Sequence, residues 1–279
     1  MRTLRLERDG HVGWLRLNRP EKLNSFTVEM WRELRELGER LRDDPELRVL
    51  VVIGEGRAFS SGIDTSVFGG DTLGGDDASG DGGLGAGPDA GARHDDPVVD
   101  AIMKTQDSFT WLAESPFATV AAVRGYAFGA GLQLALACDI RVVARGTKLG
   151  LLEFEYGIIP DLGGTQRLPR IVGAGKAKEL IFRAARVDAD EAFRIGLVEQ
   201  LVDDAELEVA ASELAAAIAA RPPLAVRAAK RAVNAAIDSG IRDGLRIEAE
   251  GQATCIRSDD MKEAIAAFVE QRPPEYHGR

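Results

Sequence analysis

The sequence predicts an α/β fold whose last third is helical. Two alternating segments at the N-terminus lead into an amphipathic run, a short continuous apolar stretch follows, and beyond residue 200 the patterning is helical almost throughout. Residues 3–9 and 11–18 alternate as strands do, and Asp9-Gly10 between them is a hairpin signal. After Arg19-Pro20, the run Thr27 to Arg42 places Met30, Leu34, Leu37 and Leu41 at helical spacing. Val49 to Ile53 is apolar at every position and of strand length, which predicts burial on both faces of a mixed or parallel sheet. The polar loop GEGRAFSSGIDTS follows.

From Gly69 to Pro97 the chain is rich in Gly and Asp and nearly devoid of large apolar side chains. Such a segment cannot bury enough surface to offset its ordering entropy, which predicts a mobile insertion. Its aspartates show no regular metal-ligand spacing. The pattern resumes beyond it with a helix over Val99–Leu112 and a strand over Phe117–Val123. Gly125 to Ala137 is a strand-to-helix unit, and Ile140–Ala144 is a strand. Helices are predicted near Lys176–Ala185, Ala189–Ile195, Asp204–Ala220 and Leu224–Ala236, the last introduced by Pro222-Pro223. A final run covers about Arg242–Gln271. The expected organisation is a core over 1–200, carrying the insertion at 69–97, and a helical region over 201–279.

A chain of 279 residues with 45% hydrophobic content buries a substantial core. A net charge of −10 argues against a surface built for nucleic-acid phosphates or anionic lipid. The basic residues Arg227, Lys230 and Arg231 read as a solvated helix face. Cys138 and Cys255 lie far apart in helix-like surroundings, so they are expected to be buried free thiols rather than a disulfide or a zinc site. The N-terminal MRTLRLERDG lacks the apolar stretch of a signal peptide, and no segment offers about 18 uncharged apolar residues. No membrane association and cytoplasmic residence are the corresponding expectations.

Chemistry concentrates in Gly125 to Asp139, GYAFGAGLQLALACD. Gly129-Ala130-Gly131 stands where a strand and turn hand over to a helix, so unpaired backbone N–H groups there can face developing negative charge. Tight helix-to-sheet packing explains the same small residues. Two further segments distinguish these readings: Ala58 through Asp64 (AFSSGID), and Leu149 through Pro169 (LGLLEFEYGIIPDLGGTQRLP). Together, and in this order, the three resemble the crotonase, or enoyl-CoA hydratase/isomerase, superfamily. Asn18-Arg19-Pro20 with Leu23-Asn24, the Arg186 to Val202 region with Ala192 and Gly196-Leu197-Val198, and the ending Ala267 to Pro274 extend the likeness to nearly the whole chain outside the insertion.

The resemblance implies a crotonase-like spiral of ββα units, with C-terminal helices that cover the site and join a homotrimer or hexamer. It implies an acyl-CoA substrate and no cofactor beyond the CoA of that substrate. Its two oxyanion donors fall on the backbone N–H groups of Ile63 and Ala130. Their role is to stabilise the thioester enolate, and losing one such donor costs about 3 kcal/mol of barrier stabilisation. The CoA tail is expected along Lys22 and Leu23 and the loop of Ser61, Gly62 and Asp64.

Hydratases of this superfamily work with two glutamates around one water. The second position is Glu153 here. The first is Gln133, which departs from the pattern. One helical turn past Ala130 it faces the same way and can orient water or substrate, but a neutral amide does not accept and return a proton. A 1,3 double-bond shift needs only one mobile base, and the superfamily includes isomerases with a single glutamate at the position of Glu153. Isomerisation by Glu153 is therefore favoured over hydration.

Asp161 leaves open a dienoyl-CoA isomerase using Glu153 and Asp161, although its own turn, Pro160 to Gly164, explains it as a backbone cap. Glu155 is expected to be solvated or ion-paired. A non-catalytic acyl-CoA-binding protein is the reading from another class. His11, His94 and His277 have no companions that would form a triad or ligand set, and Ser60 and Ser61 have no neighbouring base. No metal site is expected.

Overall fold

The computed structural model describes residues 1–67 and 96–279. The insertion predicted at 69–97 and His94 therefore fall outside the described residues, except for Asp96 and Pro97. These two open a helix: Asp96 accepts from the Val98 N–H at 2.9 Å, and Pro97 sits in the first turn, where its missing N–H costs nothing.

Alternation at the N-terminus yields the antiparallel pair β1 (Leu4–Asp9) and β2 (Val12–Leu17). Asp9 pairs with Val12, so the two-residue turn is Gly10-His11, one residue later than the Asp9-Gly10 signal suggested. Helix α1 (Val28–Arg42) is capped by the Thr27 side chain, and Met30, Leu34, Leu37 and Leu41 are its buried stripe. The apolar run becomes β3 (Val49–Gly54). It is followed by α2 (Pro97–Glu114), β4 (Ala118–Val123), β5 (Tyr126–Phe128), α3 (Ala130–Ala137), β6 (Ile140–Ala144) and β7 (Lys148–Gly150). Then come α4 (Gly164–Val172), α5 (Ala174–Phe182), β8 (Val187–Asp188), α6 (Ala189–Arg194) and β9 (Gln200–Val202). The chain ends with α7 (Leu207–Ala219), α8 (Pro223–Asp238), α9 (Ile241–Arg257) and α10 (Asp259–Glu270).

Six strands form one sheet in the order β1-β2-β3-β4-β6-β9, parallel except for the first pair. A smaller sheet has the order β5-β7-β8 and is extended by parallel bridges Ser60↔Ala127 and Phe26↔Ile63. Successive passes thus give one strand to the large sheet and one short segment to the small one before turning into helix. This is the spiral of ββα units expected from the resemblance. β3 is buried on both faces as its composition required: Leu50 and Val52 join the main core with Phe26, Phe59 and Phe109, whereas Val49, Val51 and Ile53 meet α7 through Leu207, Ala211 and Ala215.

Several elements differ from the sequence-based expectation. The run 242–271 is two helices, broken at Ser258, whose extended backbone and side-chain cap on the Met261 N–H start α10. Helix α4 was not anticipated because it opens on Gly163-Gly164 and carries Pro169, which read as a turn, and the short strands β7, β8 and β9 because two or three residues are too few to show a period. Cys138 is buried, but Cys255 is only partly so. Lys230 is not on a solvated face. Its ammonium is buried, donates to Leu112 O, Ser115 Oγ and Phe117 O at 2.9–3.0 Å, and pairs with Asp139 at 2.9 Å. No single helix among the described residues is long and apolar enough to cross a membrane. The bent pair of segments 204–219 and 223–238 passes on composition alone, and its first half is packed on the large sheet.

Candidate active site

The site is built around Gly129, which precedes α3 with φ +49° and ψ −119°, a conformation that L side chains rarely adopt. Its N–H donates to Gly150 O at 2.9 Å, and its carbonyl accepts from the Gln133 N–H at 3.0 Å. A Cβ on Gly129 would stand 3.3 Å from Glu153 Oε1 and 3.9 Å from the Gly62 Cα. Gly62, at φ +103°, lies equally close to the Phe128 carbonyl, with 3.1 Å available for a Cβ. The loop after β3, the start of α3 and Glu153 therefore converge on one point. Ser60 braces the loop, donating to Asn24 O at 2.8 Å and accepting from the Gly62 N–H at 3.2 Å.

The Ile63 bridge to Phe26 uses the Gly62 carbonyl and the Asp64 N–H, so the Ile63 amide points to the other side. Ala130 is the first residue of α3 and has no preceding turn to bond. Among the described residues neither N–H has an acceptor.

Glu153 opens a short 3-10 turn, Glu153–Tyr156, and its side chain is buried at 5% exposure. Oε1 accepts from Gln133 Nε2 at 2.7 Å, while Oε2 is buried without a partner. Gln133, 1% exposed, accepts through its own Oε1 from the Gly164 N–H at 2.9 Å. Burial pushes the Glu153 carboxyl up to about 7. Its own backbone N–H and, to a lesser degree, the Gln133 hydrogen bond oppose that shift, and the Asp161 charge adds to it slightly.

Burial also raises Asp161, whose own backbone opposes the shift in the way a turn-capping aspartate would. The loop carrying it is tied to neighbouring helices: Gln106 Nε2 donates to Asp161 O at 2.7 Å, and Arg167 donates to Leu162 O at 3.0 Å and Thr110 Oγ1 at 3.2 Å. The reading of Gln133 as an orienter of water or substrate did not foresee Gly164, Gln106 or Arg167. The Gly163-Gly164 pair was the available signal, since a Cβ on Gly164 would stand 2.9 Å from Gln133 Oε1.

Glu155 is ion-paired as expected, bonded to both Arg186 terminal nitrogens at 2.7 and 3.0 Å and held below the usual carboxylate range. Lys22 closes a 3-10 turn, and Leu23 accepts from the Ser61 N–H at 2.9 Å, which sets this turn beside the Ser61–Asp64 loop. The Asp64 carboxylate is committed to the loop itself. It accepts from the Ser66 N–H and Oγ, from Arg19 Nη2 at 2.9 Å and from Ser25 Oγ, and these bonds hold its pKa far down. Among the described residues no three His, Cys, Asp or Glu side chains gather as a metal-ligand set.

The enoyl-CoA hydratase/isomerase family model matches residues 7–102 and 78–279. The chain belongs to the enoyl-CoA hydratase/isomerase family. It is an enzyme of the crotonase superfamily, as the motifs implied. It is 34% identical to the crotonyl-CoA hydratase of Syntrophomonas wolfei over 97% of this chain and 96% of that one. Its fold superposes on the enoyl-CoA hydratase of Bacillus anthracis with a TM-score of 0.87 at 33% identity, covering 99% and 100% of the two chains. A Thermobifida fusca protein solved in complex with acetoacetyl-CoA is similar at a TM-score of 0.78 and 34% identity, covering 91% and 95%.

Proposed function

We propose that this family member shifts the double bond of a 3-enoyl-CoA to the 2-position, with Glu153 as its single mobile base. The observation that carries this reading is the neutral Gln133 amide, 2.7 Å from Glu153, where hydration needs a second acid. The Glu153 carboxylate takes a proton from C2. The electron pair moves into the thioester, whose oxygen is held by the Ile63 and Ala130 N–H groups, and returns through C3 as Glu153 delivers the proton to C4. The substrate is isomerised with no net change in atoms or electrons. A carboxyl raised to about 7 is suited to both halves of the step. The base must be ionised, so the rate should rise with pH through about 7.

Lys22, Leu23, Ser61, Gly62 and Asp64 form the CoA-binding edge in this reading, Asp64 by shaping its loop. Cytoplasmic residence as a homotrimer or hexamer goes with it. The apolar stripe Met261, Ile265, Phe268 and Val269, exposed along α10, supports a second copy as its cover. Size-exclusion chromatography should then give three or six times the 30.0 kDa chain mass.

Incubation with a 3-enoyl-CoA and, separately, a 2-enoyl-CoA tests the function. Fast double-bond shift with little water addition is expected, and water addition at a comparable rate would overturn it. A second reading rests on Asp161, a carboxyl that burial raises and whose charge adds slightly to the rise of Glu153, as a dienoyl-CoA isomerase using both acids would need. Turnover of a 3,5-dienoyl-CoA that is lost in Asp161→Asn would identify it.

A further inference from the structure

We infer that Ser60 is a positioning residue for the oxyanion site. Its buried hydroxyl takes up the Gly62 N–H, which leaves Ile63 as the free donor of the Ser61–Asp64 loop, and its packing against α3 sets the gap between the Ile63 and Ala130 N–H groups. The inference rests on those two groups being the oxyanion donors and holds whichever reaction follows.

The amides flanking Ile63 are already bonded. Ser61 N–H donates to Leu23 O and Asp64 N–H to Phe26 O, both at 2.9 Å, and Gly62 N–H meets Ser60 Oγ at 3.2 Å. The Ser60 hydroxyl proton goes to Asn24 O at 2.8 Å, so an Oγ lone pair faces Gly62. Asn24 is fully buried and held in turn: its Nδ2 donates to Glu55 O at 2.9 Å and Ala58 O at 2.8 Å, and its Oδ1 accepts the Arg19 N–H at 2.8 Å. Gly62 stands at φ +103°, which glycine adopts freely and does not hold by itself. The Ser60 hydroxyl supplies the missing restraint, and it keeps the Gly62 N–H from competing with Ile63 for the thioester oxygen.

The same residue touches the element that carries the other donor. Ser60 N–H donates to Tyr126 O at 2.9 Å, and Ser60 O accepts the Phe128 N–H at 3.0 Å, just ahead of Gly129. On α3, a Cβ added to Gly131 would stand 2.8 Å from both Ser60 Cβ and Ser60 O. The two donors are therefore spaced through Ser60, and such donors act only within about 2.7 to 3.1 Å of the oxygen they serve.

Two variants test this. Ser60→Ala removes the hydroxyl at nearly constant volume, and Gly131→Ala pushes α3 from the loop. The probe is butyryl-CoA labelled with 13C at the thioester carbonyl, bound at saturation; it has no double bond to shift or hydrate. Its carbonyl stretch, read by isotope-edited infrared difference spectra, should fall on binding to the parent as two donors draw on the oxygen. Both variants should show a smaller fall and, with an enoyl-CoA, a kcat about tenfold lower at little-changed KM, the scale of one hydrogen bond.

Ser60→Ala with the parent's carbonyl frequency overturns the proposal whatever its melting temperature, because Ser60 would then only pack. If Ser60→Ala does not fold, Gly131→Ala decides by the same reading. A carbonyl that does not shift in the parent itself would instead remove the donor assignment on which the proposal rests, so the two failures are distinguishable.

Discussion

Glu153 shows at the scale of one residue how burying a carboxyl opposes stability. Its carboxyl moves from an ordinary 4.5 to about 7 on folding, chiefly through burial. The folded chain therefore holds this proton more tightly than the unfolded chain, and stability falls as pH rises from about 4.5 to about 7, remaining lower above that. Glu153→Gln removes the penalty of burying the charge. At pH 8 the variant should be more stable than the parent by about 2 kcal/mol, the gap closing toward pH 5, as read by urea unfolding at both pH values. The same substitution should abolish C2 proton exchange. The candidate glutamate stands in the motif LLEFEYG, but its unpartnered oxygen could not be read there, because its surroundings include Gln133, twenty residues away in the chain.

Helices α3 and α10 show what local chemistry decides at the scale of the element. Helix α3 is only eight residues long, yet its position sets the Ala130 N–H. Gly129 fixes one end, and the buried Arg141 guanidinium holds the other by donating to Cys138 O at 2.9 Å and Ala135 O at 3.4 Å. Helix α10 begins at Ser258, followed by Asp259 and Asp260 in its first turn, a start signal hidden within residues that favour helix on both sides. Ser258→Ala should cost about 1 kcal/mol, measured as a lower urea midpoint with an unchanged slope. A continuous helical pattern in sequence does not reveal such a break, since period and cap are independent signals and the period dominates.

Across the whole molecule, Lys230 ties α8 to the end of α2 and the entry of β4. Replacing it with Met leaves three acceptors and the Asp139 carboxylate without their buried cation, which should destabilise the chain by about 3 kcal/mol, measured by urea unfolding at pH 7. From the sequence this lysine read as a solvated charge, because its partners lie more than ninety positions away.

Sequence by itself determined the family, the doubly buried β3, the strand-to-helix glycine at 129 and the glutamate at 153. Each is written in a local period, a backbone requirement or a contiguous motif. Tertiary structure alone decided that Asp64 braces its own loop, that Gln133 bonds Glu153 rather than a water, and that Lys230 is buried. In all three a polar side chain has several possible partners. Which one it takes depends on distances set by packing between segments that the linear order keeps apart.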